Sequence, residues 1–355
     1  MKKILFGVFD WGLGHATRDI PIIEELLKRK NNVDIISTGR ALELLKKRFG
    51  NKCKYFNVRS ISMPYPKHNF MAIRFVKISP KMLIDIKRAR ELSKEIIKNG
   101  GYDIILSDCR YDVYDKTNNS YLINHQIRIR APILAEQILE KWLASRIKKY
   151  KFCIVPDFKE NSLTGILSHK LRYIKENKIK YIGIISQLKK KNLKDNIDYF
   201  ISISGPEPQR SIFEKKILAQ VKKLDGNIVI ALGKPEENKF KEEKRIKIYS
   251  FLDNKKQEEI MNNSKFIVTR SGYTTIMELV ELEKKKVLLI PTPGQTEQEY
   301  LAMRYKRKHY FYSTDQNKMD LVEAIKKSKD FNGYTPKWKT EESIKNLIKI
   351  IGLNN

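Results

Sequence analysis

Short apolar strand patterns alternate with helical patterns along the whole chain. In the first half the strand patterns are Lys3–Phe9, Val33–Ser37, Tyr55–Val58, Tyr102–Asp108, Tyr121–Gln126, Phe152–Pro156 and Tyr181–Ile185. In the second half they include Tyr199–Ser204, Asn227–Gly233, Lys265–Val268 and Val287–Pro291. Strands separated by helices run parallel, because the helix carries the chain back to the starting edge of the sheet. The alternation therefore predicts an α/β fold with helices on both faces of parallel sheets. The 355 residues suffice for about two such domains.

The best-defined motif follows the strand pattern Lys265–Val268. It runs through a turn of small and polar residues into a helix predicted over Ile276–Lys284; the turn is Arg270, Ser271, Gly272, Tyr273, Thr274 and Thr275. The free amides and the positive dipole end of a helix attract phosphate, and small residues let it approach the backbone. Glu278 lies one helical turn later on the same side, where its carboxylate can accept two hydrogen bonds from a ribose diol. The motif predicts a nucleotide site, and an ordinary capped helix is the alternative.

A second polar loop follows the strand pattern Val287–Pro291. It contains four amide or carboxylate side chains, Gln295, Glu297, Gln298 and Glu299. Open α/β sheets bind ligands beyond the carboxyl ends of their strands, so these side chains are predicted to lie beside the nucleotide motif.

The first strand pattern leads into the loop Asp10–Arg18, which contains Gly12, Gly14 and His15. A dinucleotide-binding fingerprint needs a third glycine where Thr17 stands, so such a site is poorly supported. Small residues let the amides of this loop, Gly14 included, approach a ligand. A helix N-terminus also favours the neutral form of His15, which a general base needs. The alternative is a histidine that only caps and packs.

Polar residues also end two later strand patterns of the first half. Asp108 ends one of them, and His125 with Gln126 ends the next. The carboxyl ends of parallel strands share one edge of the sheet, so these residues are predicted to lie near His15. Two imidazoles and one carboxylate form an acid/base constellation, although ordinary strand-end caps are the alternative.

Two motifs of the second half resemble a known family. Arg270 to Glu278 spell Arg-Ser-Gly-x-x-Thr-x-x-Glu, and Pro291 to Gln298 spell Pro-x-x-x-Gln-x-Glu-Gln. Together they resemble the donor-binding half of glycosyltransferase family 28, the MurG-like enzymes. The resemblance implies the GT-B fold, in which two Rossmann-like, doubly wound parallel-sheet domains face each other across a nucleotide-sugar cleft. It covers the second half of the chain well, and the first half only at the opening loop and at His125.

The resemblance also implies roles for single residues. His15 takes the histidine position of a Gly-Gly-His turn that faces donor and acceptor. His125 and Gln126 fall on an acceptor-side His-Glu-Gln-Asn segment whose Glu and Asn are missing here. The turn Ser204–Gly205, followed by Pro206 and Pro208 in the predicted first helical turn, corresponds to a glycine-richer loop on the pyrophosphate. Phe251 and Leu252 correspond to residues that border the uracil, with core packing as the alternative, and Arg210 is either a phosphate cation or a solvated helix arginine.

The implied activity is an inverting transfer of a hexose or N-acetylhexosamine from a UDP-sugar to an acceptor hydroxyl. Glu278 would bind the ribose, the amides around Ser204–Gly205 and Ser271–Thr275 the diphosphate, and Gln298 and Glu299 the sugar. His15 would be the base, with Asp108 orienting it or substituting for it, and Arg270 or Arg210 would ease departure of the diphosphate. No cofactor beyond the donor is expected, and no Asp-x-Asp motif indicates a metal.

The chain is strongly basic, with a formal net charge of +30. Residues 51–100 hold 12 basic and 3 acidic side chains with apolar ones interleaved, and 60–80 are predicted to form a loop before a helix over Lys81–Lys98. Such a segment either seats in an anionic bilayer or covers the core as a loop with buried apolar residues. Enzymes of the resembled family often use lipid-linked acceptors, which favours a glycolipid acceptor and a membrane surface as partners. Nucleic acid fits the charge but no recognised motif.

The expected organisation is an acceptor-side domain over 1–186, a donor-binding domain over 187–340 and a C-terminal helix, 341–355, that packs back on the first domain. No signal-peptide pattern or apolar stretch of about 18 residues is found, and three widely spaced cysteines suit a reducing compartment. We expect a cytoplasmic protein, peripheral on the inner face of the cell membrane. The other hypotheses are an epimerase or hydrolase of the same fold, a basic nucleic-acid-binding protein and a catalytically silent sugar-nucleotide sensor.

Overall fold

The computed structural model describes residues 1–60, 71–116 and 119–353, with the side chains of 71–83 left outside the description. These residues divide into two compact units, each built around one sheet. The first unit holds the residues before Leu188 together with those from Lys337 onward, and the second is Leu188–Pro336. The prediction of an α/β fold is confirmed.

The first unit contains a seven-stranded parallel sheet in the order β3-β2-β1-β4-β5-β6-β7. Its strands are β1 (Lys3–Val8), β2 (Asn32–Ser37), β3 (Cys53–Asn57), β4 (Ile104–Asp108), β5 (Ser120–Ile123), β6 (Phe152–Val155) and β7 (Ile179–Tyr181). The chain builds outward from β1 in one direction and then restarts with β4 on its other side. Ligands bind where the strand order reverses in this way, so the carboxyl ends of β1 and β4 define the candidate site.

Helices cover both faces of this first sheet. They are α1 (Gly14–Lys28), α2 (Gly39–Phe49), α3 (Met71–Gly100) and α4 (Ile133–Ile147). Successive side chains of β1 enter different core clusters: Ile4 and Phe6 pack with the residues of α1 and α2, whereas Leu5 packs with those of α3. A strand that is apolar on both faces is typical of a doubly wound sheet.

The second unit contains another seven-stranded sheet, in the order β10-β11-β9-β8-β12-β13-β14. Its strands are β8 (Ile197–Ser202), β9 (Ile228–Ala231), β10 (Phe240–Glu243), β11 (Ile246–Tyr249), β12 (Ser264–Thr269), β13 (Val287–Leu289) and β14 (Tyr312–Ser313). Its helices are α5 (Gln209–Gln220), α6 (Asn254–Asn262), α7 (Tyr273–Glu281), α8 (Thr296–Arg307) and α9 (Leu321–Ser328). Here the strand order reverses between β8 and β12, so the loops after these two strands lie side by side.

The last helix, α10 (Thr340–Ile350), belongs to the first unit. Ile344, Leu347 and Ile348 are buried in the same core cluster as Ile20 and Ile23 of α1. The chain thus returns to the first sheet after completing the second. Among the described residues, no helix is both long enough and apolar enough to cross a bilayer.

Four local expectations are wrong. The loop predicted over 60–80 is helical from Met71 onward, and Pro80 lies inside α3 rather than before it. The strand predicted at Tyr181–Ile185 instead ends at Tyr181, because Gly183 turns the chain with φ of +95° beside the ring of Trp338. Pro206 and Pro208 precede α5 rather than forming its first turn.

The fourth difference is the hairpin strand β10, which the sequence does not predict. All of its residues are exposed, so no apolar alternation signals a strand. The residues 61–70, on which part of the predicted membrane segment falls, lie outside the described part of the chain.

Candidate active site

The candidate site of the first unit begins where β1 ends and α1 starts. Gly14 is the first residue of α1 and His15 the second, so the imidazole lies at the helix N-terminus. Its ring forms a T-shaped pair with Phe9, with the two ring centroids 5.3 Å apart and the ring planes at 81°. The side chain of His15 remains 12% exposed, so it can meet a ligand.

Asp108, the last residue of β4, lies opposite Val8 of β1 in the parallel register. Its carboxylate is fully buried, and its Oδ2 is 2.9 Å from Nδ1 of His15. The structure thus brings the two predicted catalytic residues into hydrogen-bond contact. The next residue, Cys109, has a φ of +53°, the left-handed turn that carries the chain away from the sheet edge.

Arg18 completes this cluster, although its position in the sequence did not single it out. Its guanidinium is 1% exposed. Its Nε donates to Asp108 Oδ2 at 2.9 Å, and a terminal nitrogen donates to Asp108 Oδ1 over a short contact. The other terminal nitrogen donates to Nδ1 of His125 at 2.8 Å, because arginine has only donors. One guanidinium therefore ties the ends of β4 and β5 to α1.

The protonation states in this cluster follow from its charges. Burial would raise the pKa of Asp108, but the Arg18 charge and then His15 hold it well below its usual range. For His15, burial lowers the pKa; Asp108 opposes this, and Arg18 reinforces it. The net shift is downward, so at neutral pH His15 is an uncharged imidazole beside an ionised Asp108. This is the state in which a histidine accepts a proton.

His125 and Gln126, the predicted acceptor-side residues, follow β5 at the same edge. His125 is 8% exposed and its ring centroid lies 6.1 Å from that of His15. The backbone amide of Gln126 donates to the Asn124 side chain at 2.8 Å, which fixes the turn after the strand. Their contact with an acceptor remains a prediction.

The predicted nucleotide motif of the second unit lies between β12 and α7. Gly272 occupies the N-cap position of α7 and has no side chain to cap the helix. Ser271 is buried, and its hydroxyl donates to the Gln298 carbonyl at 2.8 Å. Tyr273, Thr274 and Thr275 form the first turn of α7. The backbone amides of a first helical turn are the groups that bind phosphate.

Glu278 lies on α7 and is 5% exposed. Burial raises the pKa of its carboxyl to about 8, and no charged group of the described chain offsets it. At neutral pH Glu278 is therefore mostly an uncharged acid. A buried carboxyl without a charged partner is a frequent mark of a binding site.

The amide and carboxylate side chains after β13 hold their own loop together. Gln298 Oε1 accepts the backbone N–H of Thr292 at 2.9 Å, and its Nε2 donates to Gln295 Oε1 over a short contact. Glu299 Oε1 accepts the N–H of Gly294 at 2.9 Å. These contacts fix the conformation of the loop. That Gln295, Gln298 and Glu299 contact a sugar remains a prediction.

Arg270 holds together the loops of the second site. It is 2% exposed, and its guanidinium donates to four backbone carbonyls, those of Ser204, Gln209, Ile290 and Pro291, at 3.1 to 3.2 Å. Burial lowers its pKa to about 9. Arg270 thus joins the loops after β8, β12 and β13, and its charge has no carboxylate partner among the described residues.

The loop after β8 contains the predicted turn Ser204–Gly205. Gly205 has φ of +117°, which disfavours any other residue, and a Cβ there would lie 3.4 Å from Oγ1 of Thr292. Arg210 pairs with Glu207 and Glu214, so its charge is already compensated. Its predicted contact with phosphate remains a prediction.

Phe251 and Leu252, predicted to border the base, follow β11 at the same end of the sheet. The Phe251 ring is 43% exposed, whereas Leu252 is buried. An exposed aromatic face at the carboxyl edge of the strands is available for stacking. Of the two residues predicted to border the base, Phe251 therefore exposes its ring for such a contact, whereas Leu252 packs in the core.

Sequence comparisons define the class of this chain. Residues 208–350 match the glycosyltransferase family 28 C-terminal domain, and residues 2–136 match the domain described as glycosyl transferase family 1. These matches and the shared fold identify the chain as a glycosyltransferase of the GT-B fold, and the match over residues 208–350 confirms the resemblance to family 28 seen in the sequence. A search of curated protein sequences finds no match.

Solved structures with the same fold include enzymes complexed with a nucleotide or a nucleotide sugar. MurG of Acinetobacter baumannii aligns over 99% of this chain and 100% of its own, with a TM-score of 0.60 and 10% identity. SsfS6 of Streptomyces sp. SF2575, complexed with thymidine diphosphate, covers 100% of both chains at a TM-score of 0.58 and 12% identity. UGT89C1 of Arabidopsis thaliana, complexed with UDP-L-rhamnose, aligns over 99% of this chain and 93% of its own, with a TM-score of 0.59 and 12% identity.

Proposed function

We propose that this glycosyltransferase moves a sugar from a UDP-sugar to an acceptor hydroxyl with inversion at the anomeric carbon. The observation that carries the proposal is the pair formed by His15 and Asp108, 2.9 Å apart at the strand-order reversal of the first sheet. A neutral imidazole with a buried ionised partner is the arrangement of a general base. The second unit supplies the features of a nucleotide site.

In the proposed reaction, Nε2 of His15 takes the proton of the acceptor hydroxyl. The oxygen attacks the anomeric carbon, the bond to the diphosphate breaks, and this single displacement inverts the configuration. For Nε2 to be the free base, Nδ1 carries the proton and donates it to Asp108 Oδ2. The terminal nitrogen of Arg18 that lies 2.9 Å from Nδ1 then donates to Asp108 Oδ1 instead. The Asp108 charge then stabilises the imidazolium that forms.

The leaving diphosphate is proposed to be stabilised by helix amides rather than by a metal ion. The first turn of α7 follows Gly272 directly. The buried Arg270 guanidinium contacts the backbone of the loop after β8 at the Ser204 carbonyl. His15, Asp108 and Cys109 have ligand atoms within 4.8 Å of one another, which is compatible with metal spacing. However, the Arg18 guanidinium bonds both oxygens of that carboxylate and thus provides the cation there. We assign no metal to this cluster.

Calorimetric titration with UDP, thymidine diphosphate, ADP, GDP and UDP-sugars tests the donor half. We expect UDP to bind in the micromolar range and Glu278→Ala to weaken it at least tenfold, or about 1.4 kcal/mol. The ribose hydroxyls favour the ionised carboxylate. Because the free carboxyl has a pKa of about 8, binding at pH 7 should release nearly one proton, seen as a dependence of the heat on the buffer.

The matched control for this titration is Glu281→Ala, since Glu281 is a neighbouring buried carboxyl on the same helix. Glu278→Gln should bind UDP without proton release. If UDP binds equally well to the wild type and to Glu278→Ala, the ribose assignment is wrong. Tighter binding of thymidine diphosphate than of UDP would change the nucleotide but keep the site.

We further propose that the acceptor is a glycolipid or lipid-linked glycan presented at an anionic membrane. The support is the net charge of +30 together with three apolar side chains of α4, Ile133, Leu134 and Ile138, which are 67 to 77% exposed. Apolar side chains flanked by basic ones suit an anionic headgroup region.

Cosedimentation with vesicles of phosphatidylglycerol and phosphatidylcholine tests this surface. We expect salt-sensitive binding that falls at least tenfold when Ile133, Leu134 and Ile138 are all replaced by serine, because burying each side chain contributes about 1.5–3 kcal/mol. The control is Met303→Ser with Val322→Ser, two exposed apolar residues of the second unit. Equal binding by both variants would exclude α4 as the membrane surface.

A further inference from the structure

Asp19 is a buried carboxyl that the proposed reaction does not use. It follows Arg18 on α1, and its side chain is fully buried. Neither of its oxygens receives a hydrogen bond from any described residue. A buried carboxylate without a donor is strongly unfavourable, so the side chain needs either a cation or a proton.

Among the described residues, no cation hydrogen-bonds Asp19. The Arg18 guanidinium next to it is already engaged: Nε and one terminal nitrogen bond Asp108, and the other terminal nitrogen bonds His125. Burial and, after it, the neighbouring Asp108 carboxylate raise the pKa of Asp19 well above its usual range.

Two neighbouring carboxyls in a buried place do not both ionise, so one of them holds a proton. The hydrogen-bond partners of Asp108 decide which of the two carboxyls holds the proton. Arg18 and His15 both hold Asp108 in its ionised form. The proton therefore belongs to Asp19. The charged and titratable groups around this pair are Arg18 and His15 on α1, Asp108 and Cys109 at the end of β4, and His125 after β5.

We propose that Asp19 is a positioning residue that stays a neutral carboxylic acid and donates its proton to Asp108, thereby fixing the carboxylate that orients His15. A carboxylate has about four acceptor positions. On Oδ2 one is taken by Arg18 Nε and one faces His15, and on Oδ1 one is taken by Arg18. In this proposal the hydroxyl of Asp19 donates to the acceptor position that remains on Oδ1.

The neutral state of Asp19 matters for the proposed base, on which this role rests. An ionised Asp19 would place a second negative charge beside Asp108 and favour imidazolium at His15. A protonated imidazole cannot accept the acceptor's proton. A neutral acid supplies the hydrogen bond without the charge, so His15 stays ready as a base.

The protonation of Asp19 is directly measurable by carbon NMR of protein labelled with ¹³C at the aspartate carboxyl carbon. We expect one aspartate carboxyl of the ligand-free wild type to be neutral at pH 7 and this signal to be lost in Asp19→Asn. Glu278 carries no label and does not interfere. If all labelled carboxyls are ionised at pH 7, or if the neutral signal persists in Asp19→Asn, the assignment is wrong.

The positioning role is tested by the titration of His15 in histidine-labelled protein. The chain has five histidines, and the signal lost in His15→Gln identifies the one of interest. Asp19→Asn, whose amide also donates to Asp108, should retain the wild-type titration. Asp19→Leu cannot donate and should raise the pKa of His15 by about one unit. Identical titration in the asparagine and leucine variants would refute the role. Both experiments use ligand-free protein, so a failure to bind UDP would leave their outcome unchanged.

Discussion

Replacing His15 by glutamine is expected to lower the turnover number about 10²- to 10⁴-fold, the usual loss when a general base is removed. Glutamine fills a similar volume and keeps a polar end, but it cannot accept a proton at neutral pH. The affinity for UDP should not change, because the predicted nucleotide contacts belong to the second unit. The measurement is UDP release from the tightest-binding UDP-sugar in the presence of a glycolipid acceptor, alongside calorimetry with UDP.

His309→Asn is the matched control for this variant. His309 is exposed on the second unit at a φ of +59°, a conformation that asparagine tolerates, so turnover should be retained. The wild type should lose activity only below pH 6.5, because the pKa of His15 is lowered and the base must be neutral. Unchanged turnover in His15→Gln would remove the base assignment and favour a silent sensor. Donor breakdown at the same rate without acceptor would favour a hydrolase or epimerase.

Much of the architecture follows from local patterns in the sequence. Strands such as Lys3–Val8 and Ser264–Thr269 are short apolar runs bounded by polar turns, and burial on both faces of a parallel sheet produces just such runs. The parallel order then brings strand ends together, so the closeness of His15 to Asp108 could be predicted without coordinates. Position along a strand and topology were sufficient for this step.

The partners of the pair could not be predicted in the same way. Arg18 and Asp19 are charged residues in an amphipathic helix, and such residues usually face solvent. Only the three-dimensional structure shows that α1 buries both side chains. The spacing of three residues between His15 and Arg18, which sets both on one helical face, is the single signal that the sequence offered.

The sequence also left open how the second site is supported. The sequence predicts that Arg270 serves the phosphates, whereas its four backbone acceptors become visible only when the loops after β8, β12 and β13 are seen side by side. Those acceptors are carbonyls, which carry no sequence signature. A buried arginine that binds carbonyls from distant segments is therefore beyond what spacing can predict.

Arg18→Met is expected to destabilise the first unit by about 3–5 kcal/mol, the range found when one partner of a buried ion pair is removed. Methionine has a similar length and fills the space, so the loss reflects the uncompensated charge of Asp108 and not a cavity. The measurement is urea unfolding monitored by circular dichroism and by tryptophan fluorescence. Arg18→Lys should lose less, although one ammonium cannot bond both oxygens of Asp108 and also Nδ1 of His125.

The double variant Arg18→Met with Asp108→Asn separates charge from packing. Asparagine carries no charge, so the double variant should be more stable than Arg18→Met alone, and the two changes should not be additive. If they add, or if Arg18→Met is as stable as the wild type, Arg18 does not neutralise Asp108. The same variants also bear on function, because without the guanidinium the full charge of Asp108 acts on His15. Its pKa should then rise, moving the acid limit of activity toward neutral pH. A purely structural arginine would leave that limit where it is, so stability and pH profile together distinguish a brace from a residue that also sets the state of the base.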